Sequence, residues 1–198
     1  RKHMANVSEK FGLRPYRKLD GTPLVGAQNR YIIKSGYATA IYQGDLVKPT
    51  STGHIERHTA NTSAAVVGVF NGVFYNDPTT QKPTFKNYYP GGVTPTQGDI
   101  TAFIVDDPDA VFLIDANAAF SRADLYKNYS VSNTTGVTQT GISKVQLAVG
   151  PSGVASTFVV QAMDISQEPA NSEEGVANNN ILVRINNHFY RQGGTGLA

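Results

Sequence analysis

Short apolar segments, separated by Gly, Pro and Asn at intervals of about ten residues, constrain the fold of this chain more than any other feature. Clear examples are the segments 46–48, 99–105, 110–115 and 181–187. Such segments are typical of strands in an antiparallel sandwich or barrel. No long helical pattern alternates with them, which argues against a parallel α/β fold. The sequence therefore predicts an all-β fold, an antiparallel β-sandwich or barrel of jelly-roll-like type.

Two local signals refine this prediction. Asn71-Gly72 interrupts the apolar run 64–75, a pattern that predicts a hairpin or a β-bulge. One short helix is expected at 121–125, where the hydroxyl of Ser121 would cap the first turn by accepting a backbone N–H.

The length of 198 residues fits one domain with an appendage. Residues 1–4 are interpreted as tag-derived residues that end at the native start, Met4. Residues 5–29 are expected to form an extended N-terminal arm, residues 30–190 the β domain, and residues 191–198 a flexible C-terminal tail.

Charge is unevenly distributed along the chain. There are 17 basic and 15 acidic residues, so the balance without Arg1 and Lys2 is zero. Residues 5–34 carry a net +4, which leaves −4 for the remainder. A neutral protein attracts nucleic acid weakly, because phosphate neutralisation drives that binding. We therefore expect no nucleic-acid partner, and an arm that docks onto an acidic protein surface.

The arm combines basic and bulky apolar residues with turn-forming ones. Pro15 and Pro23 disfavour helix in the residues before them, and the segment 20–23 is a turn cluster. The apolar side chains either fold back on the chain's own core or pack on a neighbouring protein. The residues expected to make the arm's contacts are Phe11, Leu13, Arg14, Tyr16, Arg17 and Lys18.

Composition excludes several kinds of site. The chain has no Cys and therefore no disulfide, thiolate nucleophile or thiolate metal site. Its apolar stretches, such as 64–70, are far shorter than the ~20 residues that a membrane helix needs. No signal-peptide pattern is present. We expect no membrane partner and no passage across a membrane by the usual route.

Two clusters contain metal-ligand residue types. His54, Glu56 and His58 alternate along a predicted strand, so they could share a face and suit zinc or iron. Their spacing differs from that of helical zinc proteases, and an exposed polar strand face would have the same pattern. The three carboxylates of Asp106–Asp109 could bind calcium, although Asp-Pro is ordinary turn chemistry. We prefer the polar face and the turn, and expect no cofactor or metal.

Catalytic machinery is not indicated. A nucleophilic Ser or Thr needs a base within reach, and His188 is the one candidate base outside the 54–58 cluster and the first four residues. The sequence contains neither a nucleophile elbow nor a phosphate-binding glycine loop. We therefore expect that the protein is not an enzyme.

Tyrosines supply further candidate contact residues. The chain has ten Tyr and no Trp, and Tyr buries a large area in interfaces at low entropic cost. Tyr88 and Tyr89 are the expected interface aromatics, with core packing and sugar stacking as alternatives.

Five segments together resemble the capsid decoration proteins, also called cement or head-stabilising proteins, of tailed bacteriophages, in particular of marine and other short-tailed phages. The segments are FGLRPYR (11–17), IYQGDLVKPTSTGHIE (41–56), VVGVFNGVFY (66–75), DITAFIVDDPDAVFLIDA (99–116) and ILVRINNH (181–188). The resemblance extends over residues 8–190, and the order of the segments is more specific than any one of them.

The resemblance implies a structural virion protein without enzymatic activity. Such proteins bind the outer face of an assembled capsid and lock neighbouring major capsid subunits against the pressure of packaged DNA. The expected partners are the major capsid protein and further copies of the chain, in a dimer or trimer. The expected location is the exterior of the virion, after synthesis in the host cytoplasm.

Two other functions remain open from the sequence. One is a host-surface or carbohydrate-binding module of a head fibre or tail, in which tyrosines and the segment 106–109 would bind sugar or a cation. The other is a head-completion protein.

Overall fold

The computed structural model describes residues 6–59, 64–153 and 158–191. In these ranges the chain is all-β, with two six-stranded sheets in a sandwich-like arrangement. The predicted fold class is confirmed. The predicted tag residues 1–4 and the predicted tail from residue 192 onward lie outside the described residues.

Twelve strands form the two sheets of the described part. They are β1 (Arg14–Lys18), β2 (Asn29–Ile33), β3 (Leu46–Pro49), β4 (Ile55–Arg57), β5 (Gly68–Asn76), β6 (Pro83–Lys86), β7 (Ile100–Val105), β8 (Ala110–Asp115), β9 (Asn128–Val131), β10 (Leu147–Gly153), β11 (Val160–Ile165) and β12 (Asn180–Ile185). Asn71-Gly72 lies within β5, whose register against β7 shifts between Phe70 and Gly72. Of the two predicted alternatives at this dipeptide, the β-bulge is the one observed.

The first sheet has the strand order β1-β8-β12-β11-β9-β10, and its pairings are antiparallel. Every residue of the central strand β8 is buried. Arg14 of β1 lies opposite Leu113 of β8, so part of the expected arm is an edge strand of this sheet. This corrects the expectation that residues 5–29 stand apart from the β domain.

The second sheet closes on itself. Strands β3, β4, β2, β7 and β5 pair in succession, and β5 pairs again with β3 to complete a ring. β6 is added at the outside of β5. One pairing is parallel, that of β2 with β4 through Ile33 and Ile55.

Two large apolar clusters hold this arrangement together. One belongs to the ring and includes Phe70 and Ile104. The other joins the sheets, because it contains Phe112 of β8 together with Val69 of β5. Burial of apolar surface of this kind is the main favourable contribution to folding.

A third, smaller cluster lies on the opposite face of the first sheet. Alternate side chains of a strand point to opposite faces, and Val111 and Leu113 of β8 therefore lie away from the inter-sheet core. They cluster with Leu182 of β12 and with Phe11, which precedes β1. The segment before β1 therefore covers apolar surface on this outer face.

Helical structure in the described part is limited to two single 3-10 turns, Arg122–Asp124 and Phe189–Arg191. The first is the predicted short helix. The hydroxyl and the backbone N–H of Ser121 both donate to the Asp124 carboxylate, at 2.9 and 3.1 Å. No helix in the described ranges is long and apolar enough to span a membrane.

Candidate protein-docking site

A cavity of about 150 Å³ lies at the seam between the two sheets, beside the start of β1. Its apolar lining consists of Phe11, Leu13, Pro15, Val69, Phe70, Val105 and Ile142. Arg14, Gln43 and Asn71 add polar groups. A cavity of this size holds an apolar group about as large as benzene. The site can therefore take one bulky apolar side chain.

Gly12 allows the chain to reach this position. Its φ of +71° lies in the left-handed region, and a Cβ there would lie 2.6 Å from the Gly44 carbonyl oxygen and 2.6 Å from Ser143 Cβ. The N–H of Leu13 donates to the same Gly44 carbonyl at 2.9 Å. Only glycine fits at position 12, so this close approach fixes the segment on the body.

The charge at the cavity is basic. The Arg14 guanidinium carbon lies 4.5 Å from the centroid of the Phe11 ring, a cation–π contact. Within the described ranges Arg14 and Arg17 form no ion pair, whereas Lys18 pairs with Asp107 at 3.0 Å. The hydrogen bond and charge of Asp107 raise the pKa of Lys18 above its usual value. The site therefore offers the Arg14 guanidinium to a partner, and Arg17 lies three residues further along β1.

The outer edge of β1 offers few backbone donors. Pro15 has no N–H, and the N–H of Leu13 is used by Gly44. The N–H of Lys18 donates to the Thr22 carbonyl at 2.8 Å, within the turn predicted at 20–23. Proline and such a covering turn are common ways to prevent strand addition at a sheet edge. A partner therefore contacts this edge through side chains.

The structure brings the expected contact residues of the arm together, but part of the set is buried. Phe11 is 8% exposed and Leu13 is 1% exposed. Of the two alternatives left open by the sequence, the segment folds back on the chain's own core. The prediction that these two side chains contact a neighbouring protein is therefore wrong. Burying each of them on the chain's own core stabilises the fold by about 2 kcal/mol, which a free arm would lose. Arg14 and Tyr16 remain exposed, and Arg17 is half-buried.

The two tyrosines expected at an interface differ in their positions. Tyr89 is fully buried, and its hydroxyl donates to the Tyr37 carbonyl at 2.8 Å. The interface role is therefore wrong for Tyr89, which is a core residue of the ring. Tyr88 is half-buried and stacks on Tyr42, with ring centroids 5.7 Å apart.

The residues of the proposed His-Glu-His cluster have separate partners. Glu56 pairs with Lys48 at 2.9 Å, and His54 Nδ1 lies 3.0 Å from the Thr52 hydroxyl. His58 is 5% exposed, and burial together with Lys48 lowers its pKa to about 4. The prediction that His58 lies on an exposed polar strand face is therefore wrong. Among the described residues, no group of three His, Cys, Asp or Glu side chains could hold a metal.

The aspartates at 106–109 form the predicted turn. The N–H of Asp109 donates to Asp107 Oδ1 at 2.9 Å. The Asp106 carboxylate is buried and accepts the Asn29 side-chain amide at 3.0 Å and the Tyr31 hydroxyl at 2.6 Å. Asp106 and Asp107 thus have separate structural roles.

An open groove of about 820 Å³ adjoins this turn. The segments 25–31 and 106–108 form its walls, together with Tyr190, which is 55% exposed. The hydroxyls of Tyr31 and Tyr190 are 2.8 Å apart. Burial and the hydrogen bond to Asp106 raise the pKa of Tyr31, so its phenol is neutral. The groove therefore presents hydrogen-bonding groups and the aromatic rings of Tyr31 and Tyr190.

Sequence reasoning missed a buried ion pair within the second sheet, to which the loop 132–145 adds hydrogen bonds. Arg57 Nε lies 3.1 Å from Asp45 Oδ2, with side-chain exposures of 8% and 1%. The Ser143 hydroxyl donates to Asp45 Oδ1 at 2.6 Å, and the Tyr42 N–H donates to Asp45 Oδ2 at 2.9 Å. Burial raises the pKa of Asp45, and the Arg57 charge opposes that rise. The segment 43–45 indicates only a turn in sequence, and nothing in it marks a buried charge.

His188, the candidate base, is a buried residue of the fold. It is 2% exposed, and its Nδ1 accepts the Tyr190 N–H at 3.1 Å. Burial and the nearby charge of Arg191 lower its pKa, so the imidazole is neutral at pH 7. Its position links the last 3-10 turn to the body.

No family model, no curated protein and no solved structure matches this chain. The cavity beside β1, the Arg14 guanidinium that borders it and the sequence resemblance are therefore the grounds on which a function is proposed.

Proposed function

We propose that the chain is a structural virion protein that binds the outer surface of a phage capsid and stabilises it by bridging neighbouring major capsid subunits. The observation that carries the proposal is the cavity beside β1, with room for one apolar side chain next to Arg14. Binding energy in protein interfaces is concentrated where an anchor side chain fills such a pocket. The partner side chain is an apolar anchor flanked by carboxylates.

The remaining parts of the proposal follow from this role. The partners are the major capsid protein and further copies of the chain, as a dimer or trimer, and neither nucleic acid nor membrane is among them. The protein acts without catalysis on the exterior of the capsid, after synthesis in the host cytoplasm. Light scattering of the purified chain tests the dimer or trimer, and a monomer at all concentrations contradicts it.

Co-sedimentation with empty, expanded capsids of the phage that encodes the chain tests the binding. Arg14→Glu reverses one charge at the cavity, and we expect at least tenfold weaker binding, because a close interfacial charge pair is replaced by repulsion. Lys127→Glu is the matched control, since Lys127 is exposed and its ion pair with Asp124 lies on the surface. Equal binding by both variants and the wild-type chain would assign capsid binding to another surface.

A second candidate function is saccharide binding, which the groove between the segments 25–31 and 106–108 favours. Its exposed Tyr190 ring, amides and phenols are the groups that stack on and hydrogen-bond to sugars. A glycan array with wild-type chain and Tyr190→Ala tests this function. Specific glycan binding that is lost in Tyr190→Ala would favour it over capsid decoration.

A further inference from the structure

Apolar side chains form a row across four strands on the outside of the second sheet. Ile32 of β2 lies opposite Thr101 of β7, which lies opposite Phe74 of β5, which lies opposite Phe85 of β6. Directly opposed residues share one face of a sheet. Ile32, Phe74 and Phe85 therefore lie on one face, and they are 40%, 42% and 63% exposed.

Phe103 of β7 extends this row. Its ring centroid lies 5.9 Å from that of Phe85, in a tilted arrangement. We call Ile32, Phe74, Phe85 and Phe103 the outer aromatic face. Single exposed apolar residues are ordinary, but a contiguous group on regular strands marks a contact surface.

The local sequence fixes the Phe85 ring in this position. A Cβ at Gly72 would lie 2.9 Å from Phe85 Cζ, so the absence of a side chain at Gly72 makes the space that the ring occupies. Gly72 follows the β-bulge of β5, which increases the local twist. The face is thus built by the strands and is not a mobile loop.

Cations border the outer aromatic face. The guanidinium carbon of Arg30 lies 6.0 Å from the Phe103 ring centroid, and Arg30 lies opposite Phe103 in the sheet. Lys34 follows β2, two residues after Ile32, and Lys82 precedes β6. None of these three cations forms an ion pair with a described residue. The flanking acids are Asp77 and Asp99.

We propose that the outer aromatic face is a second docking surface, and that it binds an apolar protein surface rimmed by carboxylates. The inference rests on the proposed function, under which this partner is a neighbouring capsid subunit. A single copy that bridges two subunits needs two separate contacts, and the cavity beside β1 supplies only one. A second copy is disfavoured as the occupant, because two stacked faces would bring their cations together.

The test compares two variants of the face with a matched control, on the same empty capsids. Phe85→Ser removes the most exposed ring, and Arg30→Glu reverses a rim charge without changing the apolar area. Val176→Ser is the control, because Val176 is 42% exposed on a loop of the other sheet. Circular dichroism establishes that each variant is folded. We expect both face variants to bind at least tenfold more weakly, and to lose most of the rise in capsid melting temperature that the wild-type chain gives.

Three results would overturn the inference in distinguishable ways. Wild-type chain that does not sediment with capsids overturns the proposed function and this inference with it. Wild-type binding that is unchanged in both face variants overturns the inference alone. A dimer in sedimentation velocity that Phe85→Ser dissociates assigns the face to a second copy, and so overturns the capsid partner.

Discussion

Gly12→Ala is the sharpest perturbation of the docking site. Alanine at position 12 would have to adopt a φ of +71° and place its Cβ 2.6 Å from the Gly44 carbonyl oxygen. The matched control is Gly53→Ala, because Gly53 has a φ of +77° but nothing within 4 Å of a Cβ. The control therefore measures backbone strain alone. The difference between the two variants then measures the cost of the contact between the new Cβ and the Gly44 carbonyl.

The two variants should differ by several kcal/mol in free energy of unfolding. Strain from left-handed alanine costs about 1 kcal/mol in both. In Gly12→Ala the clash with backbone at Gly44 also expels the segment, which exposes Leu13 and Phe11. Each of these side chains contributes about 2 kcal/mol when buried, and the freedom regained by the segment offsets part of that loss. We expect Gly12→Ala to lose about 3–5 kcal/mol.

Urea denaturation of the two variants and the wild-type chain measures this difference. Hydrogen exchange locates it, because the amides around Val111 and Leu113 lie under the segment and should lose protection in Gly12→Ala only. Under the proposed function, capsid binding should fall as well, since the cavity is lined by the expelled residues. Equal losses of about 1 kcal/mol in both variants would refute the reasoning.

Three further predictions concern buried ionisable groups. Arg57→Met should lower the free energy of unfolding by about 3–5 kcal/mol, because it leaves the Asp45 carboxylate buried and unpaired. Adding Asp45→Leu should recover most of that loss, and a double-mutant cycle measured in urea that shows no coupling would contradict this. His58 has a pKa lowered to about 4, so the chain should lose about 3 kcal/mol of stability as pH falls from about 6.5 to 4. His58→Gln should abolish this pH dependence of stability. Burial raises the pKa of Asp115, whose Oδ1 has no hydrogen-bond partner among the described residues, so the free energy of unfolding should fall as pH rises from the usual carboxyl range. Asp115→Asn should therefore stabilise the chain by about 1 kcal/mol at pH 7 and not at pH 3, as measured by thermal melting.

The sequence predicts the fold class because the apolar segments are short and clearly separated. The runs 99–105 and 110–115 correspond to β7 and β8 within a residue at each end. β1 was missed because it is an edge strand with charged residues and proline, and such strands lack the apolar alternation that identifies strands. The ring was also unpredictable, since the pairing of β5 with both β3 and β7 is a long-range choice that spacing does not encode.

The candidate site illustrates the same limit. Arg14 and its neighbours are recognisable in sequence as a basic, apolar segment. The burial of Leu13 and Phe11 is decided elsewhere, by the space beside Gly44 and by the apolar outer face of β8. The outer aromatic face was not predicted either, because its four residues come from four strands and meet only through the register of the sheet.

One strand, β5, connects the two docking surfaces. This connection determines how the chain would transmit tension from one surface to the other. Asn71 of β5 borders the cavity, and Phe74 of the same strand belongs to the outer aromatic face. They are three positions apart on the strand, a distance of about 10 Å. β5 is paired with β6, β7 and β3, so it cannot move without breaking hydrogen bonds on both of its edges. Under the proposed function, tension between two capsid subunits would therefore be carried along a doubly paired strand. A free arm would instead transmit it through a flexible linker, and the folding of residues 11–18 onto the body removes that weakness.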